Sequence, residues 1–238
     1  MVIIEQNPQE SIREYVYRFL KVNIINLELP PGQSISEQEV ASQLKVSRTP
    51  VREAFIKLAQ ENLLAIIPQK GTYVSLIDTD QVEESTFVRQ TLEHEVIQQA
   101  CTCFPAEELF QLQSCLALQN LCISEKNYYR FFELDETMHA IIFRGCKKSR
   151  TWEMLQLMNA HYNRVRILSL KTKEFQWDQL LKHHQALIKA IQEQDIKLGI
   201  KTIKLHLNKV LIDLEYLRKA HGDYFLQRKQ QTFTMTQK

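Results

Sequence analysis

Val46-Ser47-Arg48-Thr49-Pro50-Val51-Arg52-Glu53-Ala54-Phe55 is patterned as the start of a helix. Ser47 is a favourable N-cap, because its hydroxyl can accept from the free N–H groups of the first turn. Pro50 falls in that turn, where a missing N–H costs little. Val51, Ala54, Phe55 and Leu58 recur at i, i+3, i+4 and i+7 and share one apolar stripe. Arg48, Thr49 and Arg52 lie off it. A helix start with two outward arginines and a small hydroxyl residue suits the DNA major groove. A solvated face on an ordinary helix has the same pattern.

The flanks favour the first reading. Upstream, Ser36 and Glu39 have capping-box spacing, and Val40, Ala41 and Leu44 give a short helix its inner face. Lys45-Val46 then makes a tight turn, so two short helices form a helix-turn-helix. Before them, 11–27 reads as a helix with Ile12, Val16, Phe19 or Leu20, and Ile24 on one stripe, stopped by Pro30-Pro31-Gly32. Downstream the helix fades at Asn62. Two β-prone runs, 64–67 and 72–76, flank Pro68-Gln69-Lys70-Gly71 and read as a hairpin. A hairpin directly after a recognition helix is a wing. At its tip Lys70 can reach a phosphate, and Gly71 supplies both a positive φ and close backbone approach.

The chain has 238 residues and is 44% hydrophobic, enough for one large or two modest cored domains. After residue 72 the only helix breakers are Pro105, Gly145, Gly199 and Gly222, so the remainder favours helix. Five or six long amphipathic helices are expected at 79–103, 106–124, 127–146, 149–170, 175–194 and 196–220, the first started by Asp78 with Gln81. The fold class is mainly α. Domains are expected at 1–77 and 78–226, with a fraying tail over 227–238. No run reaches the ~20 apolar residues of a membrane span. Net charge is +2, and the first 77 residues hold eight Lys/Arg against eight Glu. Any DNA affinity must therefore come from where the bases sit. Five cysteines, an odd count, with no export signal point to reduced thiols and a cytoplasmic location. Cys101-x-Cys103 lacks the second pair that a zinc site needs.

In the second half, Asp135 and His139 share one helix face, and His184 and His206 lie on two later helices. Three imidazoles and a carboxylate can converge inside a bundle and suit Zn²⁺, with Ni²⁺ or Mn²⁺ as alternatives. Scattered core or surface histidines are the commoner case. His183 points about 100° away from His184, and His94, His161 and His221 read as structural.

Residues 10–76 resemble the winged-helix domain of the GntR family of bacterial transcription regulators. The resemblance rests on Leu29-Pro30-Pro31-Gly32, Ile35-Ser36-Glu37-Gln38-Glu39-Val40-Ala41, the 46–54 stretch, Leu58 with Leu63, and Pro68-x-Lys70-Gly71-x-x-Val74. Asn62 replaces the family's usual glycine. Gln38 stands where some members place an arginine at the DNA, so it is a weaker DNA-contact candidate than Ser47, Arg48, Thr49, Arg52, Lys70 and Gly71. Residues 79–220 are similar, more loosely, to the helical FCD effector domain of the FadR-like branch. Arg89-x-x-x-Glu93, Asp135-x-x-x-His139, His184-x-x-Leu187-x-x-Ala190-Ile191 and His206-Leu207 carry that likeness. It implies that Asp135, His139, His184 and His206 bind a metal and that an effector completes the shell. Arg89 matches a position that faces the cavity in similar proteins. Arg164 and Arg166 are second choices for holding an effector carboxylate. For each, an ordinary ion pair, such as Arg89 with Glu93, is the alternative.

The resulting expectation is a non-enzymatic DNA-binding transcription regulator. It would bind a palindromic double-stranded operator as a homodimer, without a membrane, under control of a small organic acid bound at the metal. The rivals are a metal sensor, with the ion as signal, and a metalloenzyme carrying a DNA-binding domain. No paired general acid and base accompanies the quartet beyond the ligands themselves.

Overall fold

A computed structural model describes residues 1–172 and 177–227. Past Gln227, the expected tail lies outside the described residues. The N-terminal part contains α1 (Ile12–Ile25), β1 (Ser34–Ile35), α2 (Glu37–Leu44), α3 (Arg48–Gln60), β2 (Leu64–Ile67) and β3 (Gly71–Val74). Ser11 with Glu14 and Ser36 with Glu39 close reciprocal capping boxes on α1 and α2. Val16, Phe19, Leu20 and Ile24 of α1 are buried; Ile12, expected on the same stripe, is 42% exposed. They pack on Val40 and Ala41 of α2 and on Val51, Ala54, Phe55 and Leu58 of α3. Lys45 turns the chain at φ 55° and Asn62 at φ 58°, both left-handed. The hairpin forms, and a short strand not expected from the sequence joins it. β1 pairs antiparallel with β3, giving the order β1-β3-β2. Two residues are too few for a sequence pattern.

The C-terminal part comprises α4 (Thr79–Thr102), α5 (Ala106–Ser124), α6 (Tyr128–Gly145), α7 (Ser149–Gln156), α8 (Ala160–Lys171), α9 (Trp177–Gln192) and α10 (Ile196–Ala220), followed by a short 3₁₀ turn. The single helix expected over 149–170 is therefore two. The break at 157–159 leaves backbone groups without helical partners, and Ser85 Oγ donates to the Met158 carbonyl at 2.8 Å. This tertiary bond offsets the lost helical one. The cysteines are free thiols; Cys101, Cys115 and Cys122 are buried like small apolar residues, and Cys103 is exposed. Among the described residues no helix is long and apolar enough to cross a membrane.

α8 joins the two parts. Ala160 packs on the N-terminal core. His161 Nδ1 accepts from the Asp78 N–H at 3.0 Å. Arg164 Nη2 donates to the Ser75 carbonyl at 2.6 Å. Lys171 Nζ donates to the Asn26 carbonyl at 3.0 Å and to Glu28 at 3.2 Å, and Tyr129 donates to the same Glu28 carboxylate.

Candidate metal centre and nucleic-acid interface

α6 places Asp135 and His139 one turn apart, α9 supplies His184 and α10 supplies His206. All four are buried. Donor atoms of Asp135, His184 and His206 lie within 4.8 Å of one another. His139 Nε2 sits beside them, 3.1 Å from His206 Nε2 and 3.6 Å from Asp135 Oδ2. The four side chains singled out in the sequence thus converge.

Their tautomers follow from their neighbours. The Gln119 Oε1 atom can only accept, so His184 donates its Nδ1–H to it at 2.7 Å. The Glu93 carboxylate likewise takes the Nδ1–H of His139 at 2.6 Å. Both rings therefore turn Nε2 inward. His184 Nε2 then lies 2.8 Å from Asp135 Oδ1. The His206 Nδ1 has no hydrogen-bond partner. Burial holds His206 well below its ordinary pKa, against the pull of Asp135. Three imidazoles, two of them held by outer partners, and an ionised carboxylate form a donor set that fits a divalent cation.

Arg166 faces these groups. Its guanidinium bonds Asp135 and Glu136 and lies over the Phe132 and Tyr162 rings. Burial opposes ionisation of Asp135, but the Arg166 guanidinium bonded to it outweighs burial and holds the carboxyl well below its usual range. Asp135, His206 and Arg166 line a cavity of about 30 Å³, with Ser169, Lys209 and Asp213 opposite. That space holds about a water molecule or two.

Two arginines expected at an effector are elsewhere. Arg89 is fully buried; its Nε donates to Glu93 at 2.6 Å and its Nη1 to Glu136 at 3.4 Å. It does not line the cavity, and the i, i+4 ion pair with Glu93 explains its direction. Burial opposes the charge on Glu93, yet Arg89 and His139 bring its pKa down to about 2. Arg164 points the other way across α8, to the linker. Gln119 and Glu136 were not legible beforehand: a lone glutamine or glutamate on a helix carries no signal. Glu93 was visible through its spacing from Arg89.

At the other end of the molecule, Ser47, Arg48, Thr49 and Arg52 are exposed around the start of α3, as are Gln38 on α2 and Lys70 and Gly71 at the wing. Gly71 has φ 115°, a conformation that favours glycine. Ser47 is the N-cap of α3, but its hydroxyl makes no capping bond. Pro50 occupies the third helical position and removes one of the N–H groups such a hydroxyl would bind. Arg52 Nε lies 3.3 Å from Glu37 of α2, with its side chain 67% exposed.

Comparison with known proteins agrees with this architecture. Residues 12–74 match the model for bacterial regulatory proteins of the gntR family, and residues 84–209 match the FCD domain. The chain is 32% identical over 219 residues to the HTH-type transcriptional repressor RspR of Escherichia coli (strain K12), covering 92% of this chain and 96% of that one. It is 30% identical over 213 residues to a regulator from an unstable DNA locus of Streptomyces ambofaciens, covering 90% and 89%. The fold is similar to that of E. coli McbR/YncC, with a TM-score of 0.75 at 18% identity over 87% of this chain and 99% of that one. A GntR regulator from Rhodococcus sp. RHA1 gives 0.73 at 20% identity, over 87% and 99%. With a winged helix carrying outward arginines at one end and a buried carboxylate–imidazole cluster at the other, the chain belongs to the GntR family of bacterial transcription regulators, as an FCD-domain member, and is not an enzyme.

Proposed function

We propose that this regulator binds a two-fold symmetric operator as a homodimer, and that a divalent metal with a small carboxylate effector controls the binding. Asp135, His139, His184 and His206 hold the metal; Arg166 receives the effector's charge. The observation that carries the reading is the inward pair of Nε2 atoms, their rings oriented by Gln119 and Glu93, beside an ionised Asp135. At the DNA, Arg48 and Arg52 contact base edges or phosphates. Ser47, Thr49, Gln38, Lys70 and Gly71 position the domain on the backbone. The RspR relative is a repressor by name, and operator occupancy that blocks transcription is the reading extended to this chain.

One observation favours a second reading. The cavity beside the cluster is about 30 Å³, room for an ion and water but not for an organic acid unless Arg166 moves. In that case the ion itself is the signal. Both readings meet one experiment. Operator fragments are selected from genomic DNA with the purified protein, and their affinity is then titrated with Zn²⁺, Ni²⁺ or Mn²⁺, with and without a panel of small carboxylates. Affinity that shifts with a carboxylate only when metal is present supports effector control. Affinity that follows metal alone supports the sensor. Affinity indifferent to both sinks the proposal.

A further inference from the structure

The cavity beside the metal cluster has two polar ends, one formed by Asp135, His206 and Arg166 and the other by Ser169, Lys209 and Asp213. Phe131, Phe132 and Val210 line the wall between them. His206, Val210 and Asp213 fall on one stripe of α10, and Asp213 lies two turns, about 10 Å, beyond His206. At the far end Ser169 Oγ donates to Asp213 Oδ2 at 2.5 Å, and Lys209 Nζ donates to both Asp213 oxygens at 2.8 Å. The carboxylate is the deeper partner: the Asp213 side chain is 5% exposed and that of Lys209 12%. Oδ1, with one bond, keeps a lone pair for a further donor.

Charge at the near end can be counted. Among the described residues the guanidiniums of Arg89 and Arg166 meet the carboxylates of Glu93, Asp135 and Glu136. Burial raises all three carboxyls, but these arginines outweigh it and hold them below their usual range. Two cations against three anions leave one net negative charge. Arg164 points away across α8 and stands outside this set. A divalent cation, ligated by imidazoles in their neutral form, turns the balance into one net positive charge. A buried charge left unbalanced is expensive. One anionic group therefore completes the site, and a second one unbalances it again.

We propose that the effector is a monocarboxylate whose other end donates a hydrogen bond, and that Asp213 is the residue that rejects dicarboxylates. The proposal rests on the metal-and-carboxylate reading above and names the class of acid. The carboxylate meets Arg166 at the near end. Because the cavity is about 30 Å³, that guanidinium must leave Asp135 to admit it. At the far end a hydroxyl donates to Asp213 Oδ1, whereas a second carboxylate faces a buried like charge. The ~10 Å between the ends, less a metal–oxygen bond of about 2 Å and a hydrogen bond of about 2.8 Å, suits a chain of about four or five carbons.

Isothermal titration calorimetry on the Zn²⁺-loaded full-length protein tests it, comparing 4-hydroxybutanoate with succinate and 5-hydroxypentanoate with glutarate. Each hydroxy acid is expected to bind about tenfold or more tighter than the dicarboxylate of equal length. Asp213→Asn removes the like charge beside Lys209 and is expected to tighten the dicarboxylates by about tenfold. Should that variant misfold, Asp213→Asn with Lys209→Gln neutralises the pair and is expected to narrow the preference. A wild type that takes the dicarboxylates as tightly as the hydroxy acids overturns the proposal, as does a preference unchanged in the folded variants; carboxylate control itself then stands. No heat from any of the four acids overturns the carboxylate reading and this proposal with it.

Discussion

Arg164 and Arg166 stand two residues apart on α8 and point to opposite functions. Arg166 turns inward and bonds Asp135 and Glu136 beside the cavity. Arg164 turns outward and bonds the Ser75 carbonyl in the linker to the DNA-binding domain. One helix thickness therefore separates the candidate metal centre from the segment that carries the recognition helix. Any shift of Arg166 that rotates or slides α8 is transmitted directly to 75–78 and, through Lys171, to the end of α1.

Arg164 is fully buried with no carboxylate, and its Nε and Nη1 have no hydrogen-bond partner. Burial alone pushes its guanidinium down to about 9. A buried charge without a counter-charge is expensive. Arg164→Met, which keeps most of the volume, is therefore expected to unfold within about 1 kcal/mol of wild type, whereas Arg164→Ala leaves a cavity and loses about 3 kcal/mol. Both should make the linker near Ser75 more sensitive to protease. A Met variant destabilised by more than about 3 kcal/mol in urea would show that the guanidinium is well partnered.

His161 predicts an acid sensitivity. Burial, with Arg164 nearby, lowers its pKa from 6.5 to about 4, and its neutral Nδ1 accepts the Asp78 N–H. The folded state then binds fewer protons than the unfolded state between those values, so stability rises with pH from about 4 to about 6.5 and is full above it. Falling pH across that window should cost on the order of 3 kcal/mol from this group. His161→Gln retains an acceptor that does not titrate. Its stability should fall less steeply over pH 4–6.5 than that of wild type; parallel curves from chemical denaturation would exclude His161 as a source. His206 titrates in the same direction, so some slope remains.

His184→Ala with His206→Ala should yield protein without stoichiometric metal by elemental analysis. Gln119→Leu tests the outer partner: with the Nδ1–H of His184 unheld, metal affinity should drop about 10–100-fold while the ligand set stays intact. Full metal occupancy in the double variant, or unchanged affinity in Gln119→Leu measured by chelator competition, would each contradict the assignment.

Arg52→Ala should weaken operator binding by about 1–3 kcal/mol if it reads a base. In the free protein Arg52 lies against Glu37, and that contact must be surrendered on binding. Glu37→Gln is therefore expected to tighten binding to selected and unselected DNA alike, seen in a filter-binding titration. Unchanged affinity in Arg52→Ala would remove that side chain from the interface.

The DNA-binding half was legible because its signals are local. Ser36–Glu39, the 51–58 stripe and the Pro68–Gly71 turn each act within a few residues. The quartet was legible as residue types, since α6, α9 and α10 only had to bring their faces together. What escaped depends on tertiary partners. Nothing near Arg164 in sequence says which way its guanidinium turns, and the distant Ser75 carbonyl decides it; for Arg89 the spacing offered Glu93 only as one of two directions. The break between α7 and α8 depends on Ser85, more than seventy residues upstream. β1 exists only because β3 is there to pair with it.

The missing capping bond at Ser47 has a consequence for how this domain discriminates ligands. With Pro50 in place, the first turn of α3 offers fewer N–H groups and leaves a hydroxyl uncommitted. Such a helix is unfinished in isolation, and an incoming phosphate can complete its end. Part of the regulator's own secondary-structure stability is then supplied by its target. Pro50→Ala would give the hydroxyl an internal partner, trading affinity for self-sufficiency.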